Sequence, residues 1–210
     1  MKYISYRFTA ILTLAGIIYN TWPLGYLVDR RLYSNGLASD LENPNLPFAW
    51  IFIVGDIITA LILIGVGLYA YNFRPKLKLD HLWLAMVLGL MIFGFFTGFG
   101  AAAPDKCYHL GKVCIQAFHR RISIDALETS IAALGLMLAV FSSAILSLGL
   151  SIINALIAWV GLLGWLSLAS IIFFQELAKV NAHYTQQIFL LLCGLVLISI
   201  GFNMDKAYRH

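Results

Sequence analysis

Along this chain the apolar residues fall in long unbroken runs, not in stripes separated by polar faces. A hydrocarbon core about 30 Å thick takes about 20 apolar residues of helix to cross. Runs of that length occur at Phe8–Leu27, Trp50–Tyr71, Leu82–Ala103 and Thr185–Phe202. Between Ala126 and Phe174 the only charge is Glu128, and this stretch is too long for one crossing. A break near Gly149 divides it into Ala126–Leu148 and Ile152–Phe174. Barrel strands would alternate in polarity over about ten residues, and these runs do not, so helix is the expected state. The pattern predicts an all-α polytopic membrane protein: a six-helix transmembrane bundle in one domain, with two long outer loops at Val28–Ala49 and Pro104–Asp125.

Composition narrows the classes further. The chain has 210 residues, 61% hydrophobic and 11% charged, with mean hydropathy +0.86. Soluble domains carry about 25% charged residues. A water-soluble monomer, a disordered chain, a nucleic-acid module and a disulfide-rich miniprotein are all excluded on that ground. Lys2 and Arg7 ahead of the first run resemble the start of a signal peptide. No small-x-small cleavage site follows; the chain continues Tyr19-Asn20-Thr21-Trp22-Pro23, so the expectation is an uncleaved first helix.

Six crossings put both termini and the short connections on one side. The 14 Lys and Arg residues divide evenly between the two sides. Those on the terminal side lie in short segments close to the spans, where basic residues set orientation most strongly. The opposite side carries Asp29, Asp40, Glu42, Asp105, Asp125, Glu128 and Glu176. Cys107 and Cys114 share one long loop there, and a disulfide between them would need an oxidising compartment. Together these favour cytoplasmic termini. Two separate thiols are the alternative, and the spacing is longer than that of common zinc pairs. Cys193, mid-span, reads as a small buried residue.

Gly94-Phe95-Phe96-Thr97-Gly98 lets helix backbones approach closely, as do Gly161 with Gly164 and Gly194 with Gly201. Packing inside one bundle is the expected use; a homo-oligomer or a partner membrane helix is the alternative. Trp22, Trp50 and Trp83 stand near span ends, where interfacial belts form.

Ionisable groups within spans are costly and point to function. Asp56 lies about 9 Å down the second span from Trp50, and a structural helix–helix bond is its bland explanation. Asp125, Glu128 and Thr129 share a helix face, although Ser123 as an N-cap followed by acids in the first turn explains much of that pattern. Glu176, His183, Gln186 and Gln187 form a third group, and His109 and His119 lie upstream. Topology gathers these at the outer rim. Asp56, His119, Asp125, Glu128 and His183 are the candidate ligand-binding set. The histidines with these acids would suit acid–base chemistry or, less well, a metal.

The segment Ser39-Asp40-Leu41, Pro47-Phe48-Ala49-Trp50-Ile51-Phe52 and Gly55-Asp56 resembles a motif of the bacterial membrane family called domain of unknown function 998. The stretch Ala103-Pro104-Asp105-Lys106-Cys107, with Cys114, His119 and Ser123, is similar to that family's loop after the third span, and Gln187 to a polar position before its last helix. The Arg120-Arg121 pair and the lack of an Arg after Gln187 are departures. The resemblance implies about six spans and carries no activity.

Three functions follow. The first is an outward-facing polar pocket for a lipid-like or amphiphilic ligand. The second is an intramembrane hydrolase, metal-dependent or not, acting on a lipid-linked substrate. The third is a structural protein that docks a partner through the Gly-rich third span. Membrane lipids are the expected partners in each, and nucleic acid is not. No HExxH, GxSxG, Walker or Rossmann motif is present, so the residues leave the enzyme question open and name no cofactor.

Overall fold

The computed structural model describes residues 6–28, 41–42, 44, 46–102, 115–164 and 182–209, with side-chain surroundings at all of these except 115–127, 129, 148–150 and 182–186. The elements are helical: α1 Arg7–Tyr19, a 3-10 turn Trp22–Leu24, α2 Gly25–Val28, α3 Ala49–Asn72, α4 Asp80–Ala102, α5 Ile115–Leu150, α6 Ile152–Gly164 and α7 Ala182–Ala207. No strand occurs among the described residues. Four helices are long and apolar enough to cross a membrane: α3, α4, residues Ser130–Ser147 of α5, and Gln187–Ala207 of α7.

Two expectations are corrected here. The run Phe8–Leu27 is not one helix, since α1 stops after 13 residues. The Asn20 side chain donates to the Gly16 carbonyl at 2.8 Å, and its backbone N–H also bonds that carbonyl, at 3.2 Å. Pro23, which has no N–H to continue a helical ladder, then lies in the 3-10 turn that starts at Trp22. The second correction concerns the long loop Pro104–Asp125, which is helical from Ile115 onward. Ser123 is therefore interior to α5 and cannot be an N-cap, a position that requires non-helical backbone at a helix start. The hairpin break falls at Ser151, two residues from the predicted Gly149.

The helices close into a ring of neighbours. α1 packs on α3, α3 on α4, α4 on α5, α5 on α7, and α7 back on α1. Leu12, Leu63, Trp83, Met86, Leu90, Leu136, Leu197, Ile200 and Met204 fill the interior and are fully buried. The outer surface is equally apolar, with Leu61, Leu134, Val160 and Leu195 all exposed. Helices hydrophobic on every side belong in a large core or a membrane.

The third-span glycines pack inside this ring. A β-carbon at Gly98 would stand 2.7 Å from Ala60 Cβ, and one at Gly94 would stand 2.9 Å from Leu63 Cβ. The stripe offered above to a partner helix is thus occupied by α3 of the same chain. Trp83 departs from the interfacial-belt expectation. It is fully buried, its Nε1–H donates to the Ala70 carbonyl at 3.1 Å, and its ring meets Tyr208 edge-on at 5.5 Å. Trp22 is buried too, while Trp50 faces outward.

At one end of the bundle Asp205, in the last turn of α7, accepts from the Phe8 N–H at 3.0 Å and the Thr9 N–H at 2.8 Å, and from Thr9 Oγ1 at 2.6 Å. The first turn of α1 is thereby capped by another helix. Phe8 also stacks on Tyr208 and tilts against Tyr69. Arg74 and the α4 residue Asp80 pair at 3.3 Å across the short α3–α4 connection. Both ends of the described chain lie at this end of the bundle.

Candidate functional site

The opposite end holds the carboxyl groups of Glu42 and Asp56. α1 ends over the first two turns of α3, and Gly55 leaves room for it. A β-carbon there would lie 3.4 Å from Thr21 Oγ1 and 3.5 Å from the Ile18 carbonyl. Thr59 Oγ1, one turn further along α3, donates to the Ala15 carbonyl at 3.4 Å. Asp56 thus enters the seam between α1 and α3.

Its partner comes from the connection between them. Leu41 is buried with Trp22 and Phe52, and its methyl groups fill a notch at Gly25, where a β-carbon would stand 2.6 Å away. That anchor sets Glu42 over α3, where its carboxyl hydrogen-bonds Asp56. Two carboxylates cannot donate to each other, so the bond requires a proton on the pair. Burial pushes the Glu42 carboxyl up to about 7, against the Asp56 hydrogen bond, which pulls it down. Tyr19, at the end of α1, lies in the electrostatic reach of Cys193, Asp56 and Glu42, and its ring packs edge-on against Phe93 of α4 at 5.6 Å. The group is drawn from α1, the α2–α3 connection, α3 and α7. It can hold a proton and accept hydrogen bonds from a donor.

The residues expected to form the site are distributed as follows. Asp56 is in this cluster. Glu128, on α5, reaches toward α4, its Oε2 3.7 Å from where a β-carbon on Gly100 would be. His119 and Asp125 are on the same helix, about 13 Å and about 4 Å along its axis from Glu128 at 1.5 Å per residue. His183 is in the first turn of α7, about 16 Å along it from Gly194, which packs on Gly16 and Asn20. The side chains of His119, Asp125 and His183 lie outside the described residues, as do Cys107 and Cys114 entirely. Among the described residues no three His, Cys, Asp or Glu side chains come together as a metal would require.

Glu42 and Tyr19 were not among the expected site residues. In the sequence Glu42 is one of several acids in a polar loop, and Tyr19 is part of an apolar run. The signal available was Leu41 beside Glu42: an apolar anchor next to an acid, upstream of a span that carries an unpaired acid of its own.

No family model, no curated protein and no solved structure matches this chain. The class stands on the fold: a helical protein with four helices fit to cross a membrane.

Proposed function

We propose that this is an integral membrane protein that binds the polar head of an amphiphilic ligand at the Asp56 end of its bundle, with the apolar tail lying against the outer helix faces. The observation that carries this reading is the Glu42–Asp56 carboxyl pair beside Tyr19, at one end of a bundle whose core and outer surface are mostly apolar. Carboxyl oxygens there accept hydrogen bonds, so a head group with a hydroxyl or amine donor suits them. His119, Asp125, Glu128 and His183 complete the proposed rim, on helices that reach the same end. The reading includes the orientation argued from charge: this end extracytoplasmic, the termini cytoplasmic, in a bacterial inner membrane. The resemblance to the domain of unknown function 998 family is part of the same proposal.

Native mass spectrometry of protein extracted in nanodiscs tests it. The expected result is a retained amphiphile on the unmutated protein, lost from Asp56→Asn while helicity and unfolding midpoint are kept. Unmutated protein free of any retained amphiphile, or Asp56→Asn retaining it equally, refutes the reading.

A further inference from the structure

A second polar group lies far from Asp56, where α5, α6 and α7 meet. Asn203 of α7 donates from Nδ2 to Ser143 Oγ of α5 at 2.7 Å. Ser142, Ser143, Ser147, Asn154 and Asn203 are all at most 3% exposed. Two atoms here are buried without a hydrogen-bond partner among the described residues: Asn154 Nδ2, a donor, and Asn203 Oδ1, an acceptor.

The helix register places these two residues at one level on facing sides of α6 and α7. A β-carbon at Gly161 would lie 3.5 Å from Val196 Cγ2, and one at Gly164 would lie 3.6 Å from Leu192 Cδ1. Advancing along α6 therefore means going back along α7, so the two helices are antiparallel. Asn154 precedes Gly161 by two helical turns and Asn203 follows Val196 by two turns. Each therefore shares a face with the residue already in contact, and Asn154 falls opposite Asn203.

A buried donor and a buried acceptor left unsatisfied each cost about 1–3 kcal/mol, and such groups are rare in folded proteins. The polar facing side chains suit a bridging molecule that accepts from one amide and donates to the other. We infer that α5, α6 and α7 enclose a hydration site, in which one water accepts from Asn154 Nδ2 and donates to Asn203 Oδ1. Buried waters typically make two to four such bonds, and Ser143 lies within the same group. The water ties α6 to the rest of the bundle and fixes its rotation, since an apolar contact would accept several rotations about the helix axis. This site is independent of the ligand reading above.

The test is a double-mutant cycle on the full chain in nanodiscs, read by thermal unfolding. Asn154→Leu and Asn203→Leu each leave the water and the opposite amide short of a partner, so each lowers the midpoint by about 2–4 °C. The double variant removes both amides and is expected to fall by clearly less than the two single shifts added together. Additive shifts overturn the inference. A structure at a resolution that shows waters decides independently of the variants. A peak within hydrogen-bond distance of both atoms supports it, and a direct amide–amide bond or no peak overturns it.

Discussion

Removing the Asp205 carboxylate tests how the ring of helices is closed. Asp205 is 4% exposed, and it takes two backbone N–H groups and one hydroxyl from the first turn of α1 at 2.6–3.0 Å. In Asp205→Ala those two N–H groups lose their acceptor, and no side chain at the α1 N-cap replaces it. Loss of a helix cap costs about 0.5–2 kcal/mol. Hydrogen bonds to a charged acceptor contribute about 1.5–3 kcal/mol, and the pair here shares one carboxylate. A net loss of about 3 kcal/mol follows. Asp205→Asn keeps one acceptor oxygen and should lose about half as much; Thr9→Val removes only the hydroxyl bond and should lose about 1 kcal/mol. The assay is reversible unfolding in detergent, together with hydrogen exchange across residues 7–19. Asp205→Ala should speed exchange in the first turn of α1 far more than in α4. A loss below about 0.5 kcal/mol, or equal acceleration in both helices, would refute the capping argument.

Three shorter predictions follow. Glu42 is pushed from 4.5 to about 7 in the folded protein, so its contribution is fully present below pH 4.5 and is lost as pH rises through about 7. Unfolding free energy should fall by up to about 3 kcal/mol between pH 4 and pH 8, and Glu42→Gln should flatten that slope; an unchanged slope in the variant rules Glu42 out as its source. Gly98→Leu drives a side chain into Ala60, at a position where even a β-carbon would lie 2.7 Å away. It should destabilise the isolated protein by about 1–3 kcal/mol, and full stability with loss only of a copurifying partner would contradict internal packing. A disulfide between Cys107 and Cys114 predicts that both thiols resist maleimide until reduced, and immediate labelling of both without reductant would refute the pairing.

Much of the fold was legible in the sequence because hydrophobic length is read by counting. α3 and α4 begin and end within two residues of the runs Trp50–Tyr71 and Leu82–Ala103. The helix break after Leu150 lies close to Gly149, midway along a stretch too long for one crossing. What hydropathy does not show is whatever depends on particular side-chain hydrogen bonds or on partners distant in sequence. Hydropathy cannot tell that Asn20 closes α1 by turning its amide onto Gly16, nor that a polar segment ahead of Ser130 stays helical. Asp56 could be found from sequence because an acid inside a span is conspicuous. Glu42 is harder to find, because several acids share that polar loop and only the apolar anchor Leu41 beside it marks the one that folds back.

Asp205 carries a signal that hydropathy alone does not register. A carboxylate in the last turn of a helix opposes that helix's own dipole, whose C-terminal end is already negative. An acid buried at that position must therefore be held by something else, and the strongest holder nearby is the positive end of another helix. The N-terminus of α1 is such an end, and it lacks a side-chain cap of its own. The same reasoning covers the Glu42–Asp56 pair, where neither acid is explained by its own element. In an apolar bundle, a polar residue at odds with its local helix or loop indicates where the chain returns to meet itself. In this protein those meetings fasten α1 to α7 at one end and the α2–α3 connection to α3 at the other.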